Sequence, residues 1–183
     1  MRLPWKARRG GAIPVEERRS LGEWAVLGLL AEEPAHPFAL ARLLGSGGPL
    51  GRVLTVRRPL VYRAVDRLAD DGLVVAERTE PGEAGPERTV YRITVAGQCD
   101  LDAWLGTPVA HIRDLRLGFL LKVALLRRSG RPTAPLVRAQ REALSGALAS
   151  LATLPNDPDD ADLWRHHNAA AAAAFLEDLA GRA

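Results

Sequence analysis

Arg57, Arg58 and Arg63, with Tyr62 among them, open a stretch that reads TVRRPLVYRAVDRLADDGLVV over Thr55–Val75. Guanidinium groups are permanently charged planar donors, suited to phosphate oxygens and, with two parallel hydrogen bonds, to the edge of guanine. Apolar Val61, Ala64, Val65 and Leu68 recur at i, i+3, i+4 and i+7, so the stretch reads as an amphipathic helix. Pro59, Arg63, Asp66 and Asp70 share the opposite face, Tyr62 and Arg67 flank it, and Arg57 and Arg58 stand at its start. A helix that packs its back and presents arginines and a tyrosine at its N-terminal end has the form of a DNA recognition helix; a solvated helix face is the competing reading. Gly72 suits a left-handed C-cap, and Leu73-Val74-Val75 a short buried strand after it.

Catalytic chemistry finds no comparable set. His36, His111, His166 and His167 show no metal-ligand spacing with a cysteine or carboxylate, and no phosphate loop or nucleophile elbow is present. His166 and His167 are adjacent and diverge by about 100° on a helix, a poor geometry for chelation. The expectation is a binding protein, not an enzyme, with no metal and no cofactor.

The elements that would carry the arginines can be read on either side. Ser20-Leu21-Gly22-Glu23 is a capping box that starts a helix carrying Trp24, Val26, Leu27, Leu29 and Leu30, ending near Pro34. His36-Pro37 starts a second, short helix through Phe38, Leu40, Ala41, Leu43 and Leu44 to Gly45. With the arginine-bearing helix third, this is a helix-turn-helix core. Leu73–Thr79 and Thr89–Ile93 read as two strands around a turn-rich tip, EPGEAGPE, and so as a β-hairpin wing. Thr94 caps a further helix with Leu101, Trp104 and Leu105 that closes before Pro108.

Beyond that point, Arg113–Arg128 is apolar almost all round with Lys122 the only charge in its middle, and needs more cover than one small domain readily gives. Val137, Gln140, Leu144, Ala147, Leu151 and Leu154 are spaced 3, 4, 3, 4, 3, as in a short coiled-coil seam with one polar insertion to fix register. After the acidic break PNDPDDAD a last helix carries Trp164, Ala171, Phe175 and Leu179. The C-terminal half therefore reads as a helical dimerisation unit, with an intramolecular bundle as the alternative. The expected division is a flexible basic arm (1–19), a winged helix-turn-helix domain (20–107) and a helical dimerisation domain (108–183). The fold class is mainly α with a small β-hairpin wing.

Composition agrees with this outline. The 183 residues carry a net charge of +3, with 47% hydrophobic and 26% charged residues, as in ordinary soluble globular proteins. All of the excess lies before Cys99, where 15 lysines and arginines face 12 acidic residues, the direction that phosphate binding requires. No apolar run reaches bilayer-spanning length, and the start MRLPWKARRGG lacks an apolar signal core. The single Cys99, expected to be a small core residue, cannot form an internal disulfide. A cytoplasmic location without membrane contact is expected.

The segments LGEWAVLGLLAEEPAHPFALARLL, LVYRAVDRLADDGLV and ERTVYRITVAGQCDLDAWL, in this order, resemble the PadR family of transcriptional regulators, and DLRLGFLLKVALL is similar to the family's C-terminal region. The resemblance implies a homodimeric repressor that places Arg57, Arg58, Tyr62 and Arg63 in the major groove of a palindromic operator, while Arg67, Arg88 and Arg92 hold phosphates. It implies a dimer formed by exchanged C-terminal helices, with Leu117, Phe119, Leu121, Leu125 and Val137, then Leu144, Leu151, Trp164, Phe175 and Leu179, at the interface. It further implies a release signal, with a small aromatic effector as the candidate. Trp104 stands near the family's ligand junction and Trp24 and Trp164 are further candidates, with core packing the competing explanation for all three. Three positions depart from the family. Pro37 replaces a glycine. Arg57-Arg58-Pro59 stands where a serine or threonine cap is usual, so that either Thr55 caps or the arginines reach phosphates directly. Glu80, Glu83 and Glu87 make the wing tip acidic, leaving Arg88 and Arg92 on the strand as its phosphate candidates. A winged-helix protein-interaction module without DNA binding is the alternative function.

Overall fold

The computed structural model describes residues 19–82 and 85–182. Most of the expected N-terminal arm, and Glu83 of the wing tip, lie outside the described residues. Among the described residues the order is α1 (Leu21–Glu32), α2 (Pro37–Leu44), α3 (Arg58–Asp70), β1 (Val74–Gly82), β2 (Gly85–Ile93), α4 (Val95–Gly106), a 3₁₀ turn (Ile112–Asp114), a π-helical turn (Leu115–Phe119), α5 (Leu120–Arg128), α6 (Ala134–Ser150) and α7 (Asp160–Ala180). The chain is mainly α with one antiparallel hairpin, a winged helix followed by a helical C-terminal part. No described helix is long and apolar enough to cross a membrane.

α1 is the axis of the molecule. Its capping box forms as the sequence dictates: the Ser20 amide donates to Glu23 Oε2 at 2.7 Å and the Glu23 amide to Ser20 Oγ at 3.3 Å. Every residue from Glu23 to Leu30 is buried, because α2, α3, α4, α5 and the wing all pack around this helix. Trp24 stacks on Trp104 of α4 with ring centroids 4.9 Å apart and an interplanar angle of 8°. At Gly28 the backbone of α1 meets α5 so closely that a Cβ would lie 2.6 Å from Leu125. Arg128 of α5 closes the same seam with two hydrogen bonds to Glu32, at 2.9 and 2.7 Å, and this bonding raises its guanidinium above the ordinary arginine range.

The wing is docked as well as paired. β1 runs against β2 from Val74↔Ile93 to Gly82↔Gly85, with register shifts after Ala76 and Glu80. Ala35, in the turn between α1 and α2, adds a bridge to Tyr91 through two 3.0 Å backbone hydrogen bonds. Gly72 adopts φ +71°, the left-handed cap that turns α3 into the strand. Thr94 caps α4 and its hydroxyl also donates to the Gly72 carbonyl at 2.9 Å, so the two ends of the hairpin are tied to one side chain.

The C-terminal part departs from the sequence reading in four respects. The apolar α5 finds its cover within the chain: Phe119, Leu121, Val123, Leu125 and Leu126 join one hydrophobic cluster that runs from Trp24 to Leu179 across the expected boundary at 107/108. The coiled-coil seam is cut short, since α6 ends at Ser150, Leu151 is its C-cap, Leu154 lies beyond it, and Ala147 is exposed. Gln140 is no register-fixing insertion: it accepts from the Val109 amide (2.8 Å) and donates to the Val109 carbonyl (2.9 Å), fully buried. On α7 the buried stripe is Ala169, Ala172, Leu176 and Leu179, so Trp164 and Ala171 face outward and Phe175 is half-buried, edge-on to Phe119. The stripe is set by packing against α6, to which an Arg141–Glu177 ion pair also ties it. Cys99 is exposed instead of buried, because α4 turns Gly97, Leu101, Trp104 and Leu105 inward.

Candidate nucleic-acid interface

α3 packs as its periodicity requires. Val61, Ala64, Val65 and Leu68 are buried, and Arg57, Arg58, Tyr62, Arg63, Asp66 and Arg67 are exposed. Thr55 is not its cap, contrary to one of the two expectations: its hydroxyl donates to the Gly51 carbonyl at 2.9 Å. Arg57 occupies the N-cap position without a side-chain cap bond, and Pro59 stands in the first turn, where its missing N–H costs nothing. The first-turn amides therefore remain free of a side-chain acceptor, beside the arginines, at the end of the helix that attracts anions.

The seven predicted contact residues fall into three groups. Arg58 and Tyr62 line a groove of about 410 Å³ between α3 and the wing, together with His36, Phe38, Asp66, Arg88 and Tyr91. Arg63 and Arg67 line a hollow on the other flank, against Ser20, Glu23 and Thr55 of the α1 side. Arg92 lines neither. Arg57, at the N-cap, also lines neither.

Ion pairing sorts the same residues differently. Arg67 contacts Glu23 at 3.3 Å, although its own side chain is 70% exposed, so it braces α3 against α1 while most of its guanidinium faces water. Arg92 Nε lies 3.9 Å from Glu77, and Arg78 is paired to both Glu77 and Glu80. Arg57, Arg58, Arg63 and Arg88 have no carboxylate within ion-pair distance among the described residues. Cations without internal counter-ions are what an incoming polyanion needs, since no existing pair has to be broken. Four such arginines on α3 and on the wing strand beside it can hold phosphates or read base edges, whereas Glu77 and Glu80 of the wing pair with Arg78 and Arg92, and Glu87 lines the groove beside Arg58 and Arg88.

Residues 26–103 match the family described as transcriptional regulator PadR-like. This segment is a PadR-like regulator domain. It contains all of α2, α3 and the wing, and hence every contact residue named above, while α5, α6 and α7 lie outside the match. Among solved structures, the chain is similar to Bacillus subtilis PadR in complex with operator DNA, with 18% identity, 87% of this chain and 93% of that chain covered, and a TM-score of 0.46. A second is smu.1604c from Streptococcus mutans UA159, with 15% identity over 86% of this chain and 96% of that one, and a TM-score of 0.43. No curated protein matches the chain.

Two further sets of predicted residues lie away from the PadR-like domain's arginine face. Trp24 and Trp104 are fully buried against each other, and Lys122, also buried, sits 4.9 Å from the Trp104 ring and donates to the Thr107 carbonyl at 2.6 Å. The Trp24 indole N–H is buried with no hydrogen-bond partner among the described residues. Trp164 is 71% exposed on α7 and takes no part in the stack, so the three tryptophans do not line one site. Of the residues expected between subunits, Phe119, Leu121, Leu125, Val137, Leu144 and Leu179 are already buried inside the chain, Leu117, Leu151 and Phe175 are half-buried, and Trp164 is open. Sequence reasoning missed Phe38, whose ring meets both Arg58 and Arg88. An aromatic residue next to His36-Pro37 reads as ordinary core, and only the approach of the wing reveals its neighbours.

Proposed function

We propose that the protein is a homodimeric, sequence-specific DNA-binding repressor, which reads a palindromic operator through the major groove and is released by a separate signal. The observation that carries this reading is the set of arginines that have no counter-ion among the described residues, on the outer face of α3 and on the adjoining wing strand, within a PadR-like regulator domain. Arg57, Arg58, Tyr62 and Arg63 enter the groove, where a bidentate arginine distinguishes guanine. Arg88 holds a phosphate, with Arg67 and Arg92 in weaker supporting roles because each shares its charge with a carboxylate. Two copies related by a two-fold axis would set their α3 helices about 34–36 Å apart, one turn of DNA. Leu163 and Trp164, exposed on α7, supply apolar surface for that association. Binding over a promoter would exclude polymerase. The release signal is a small aromatic compound in this reading, and the buried Trp24–Trp104 pair would have to open to admit it.

Selection of bound fragments from random duplex DNA tests the proposal, with wild type beside an Arg58→Ala, Arg63→Ala double variant of unchanged association state. A palindrome enriched by wild type and lost by the variant is the expected outcome. No enrichment at low and moderate salt would move the assignment to a protein-interaction module.

A further inference from the structure

Phe38 stands at the second position of α2, half-buried, on a helix whose Leu40, Ala41, Leu43 and Leu44 serve the core. Two cations from different elements converge on its ring. The guanidinium carbon of Arg58, from α3, lies 4.8 Å from the ring centroid, and that of Arg88, from β2, lies 5.3 Å from it. Arg58 is also within 5.7 Å of the Tyr62 ring and bonds to its hydroxyl at 3.5 Å. The support under Phe38 is fixed as well. His36 caps α2 by accepting the Ala39 amide at Nδ1 (3.1 Å), and its ring lies 6.1 Å from that of Phe38 with a 22° tilt.

An aromatic face attracts a cation within about 6 Å of its centroid. Arginine side chains carry large rotamer entropy, and a pair held in place before binding loses less of it on meeting a ligand. Two cations near one ring also repel each other, and a neighbouring anion relieves that repulsion. We propose that Phe38 is a positioning residue that fixes Arg58 and Arg88 as a pair, so that one ring on α2 sets both the base-reading helix and the phosphate-holding wing. This rests on the DNA-binding reading above. α2 then contributes to operator affinity without touching DNA.

The test compares wild type with Phe38→Leu and Phe38→Tyr in the full chain. Without DNA, the side-chain NMR signals of Arg58 and Arg88 should carry ring-current shifts that persist in the tyrosine variant; in the leucine variant that of Arg88 should vanish and that of Arg58 fall to the part due to Tyr62. On the fragment selected by wild type, Phe38→Leu should bind about 5- to 30-fold more weakly, the worth of two such contacts, and Phe38→Tyr about as wild type. The loss should disappear when Arg58 and Arg88 are both alanine. A loss of equal size in that background, or arginine shifts indifferent to Phe38→Leu, would overturn the proposal. Failure of wild type to select any fragment would overturn the operator reading separately, while the arginine shifts still decide whether Phe38 holds the pair.

Discussion

α3 and α7 each bury one stripe of four residues, yet what they leave outside differs. α3 hides Val61, Ala64, Val65 and Leu68 and turns arginines to solvent. α7 hides Ala169, Ala172, Leu176 and Leu179 and turns out Leu163, Trp164 and alanines that include Ala170, Ala171 and Ala174, along with charged Asp160, Arg165, Glu177 and Asp178. A charged outer face is stable in water and needs a partner only to do something. A large exposed tryptophan beside small residues that allow close helix approach is what an association surface offers. On the proposed reading, the arginine face of α3 meets DNA and the outer face of α7 meets a second copy.

That contrast presumes that both helices hang on a single core, and Trp104→Ala is the severest test of it. Removing half of the Trp24–Trp104 stack should cost about 3–5 kcal/mol, and urea unfolding should remain one transition for signals from both parts of the chain. Two separated transitions would mean that the parts unfold independently. Gln140→Leu comes next. It would leave the buried amide and carbonyl of Val109 without partners, at a cost of about 2–4 kcal/mol by the same measurement. A neutral or stabilising outcome, with stronger association, would restore Gln140 to an inter-helix seam. Trp164→Ala should weaken self-association by about 2 kcal/mol in sedimentation experiments over a range of concentrations, while folding stability stays within about 0.5 kcal/mol. Unchanged association would remove α7 from the interface.

Much of the winged helix was legible because its signals are local. The Ser20–Glu23 box, the His36-Pro37 start, Gly72 and Thr94 each fix a chain direction within a few residues, and each occurs where the pattern places it. The C-terminal half was less legible because its residues answer to distant neighbours. Gln140 fits a heptad, but its partner is the backbone of Val109, 31 positions earlier. α7 has alanine from Ala169 to Ala174, so its sequence hardly prefers one face, and α6 chooses the phase. For the candidate site, the sequence identified the arginines but could not divide them into paired and unpaired. That division depends on Glu23 being brought beside Arg67 and Glu77 beside Arg92 by tertiary contacts.

The smallest expected effect probes that division on the wing. Arg88 and Arg92 lie four residues apart on one strand and carry the same charge; among the described residues only Arg92 has a carboxylate, Glu77, within ion-pair distance, at 3.9 Å. Each phosphate neutralised by a free cation releases condensed counter-ions, so the slope of log K against log salt changes by about 0.9 per contact. Arg88→Ala should therefore make the slope shallower by about 0.9, with a uniform weakening across operator variants. Arg92→Ala should change it by less, because Glu77 already offsets part of the charge and is itself left uncompensated by the substitution. Glu77→Gln tests the reason, since it frees Arg92 and should steepen the slope, while Arg78 keeps its pair with Glu80. Equal slopes for the two alanine variants would show that exposure to water screens the Glu77 contact and that pairing at this distance does not decide which arginine holds DNA.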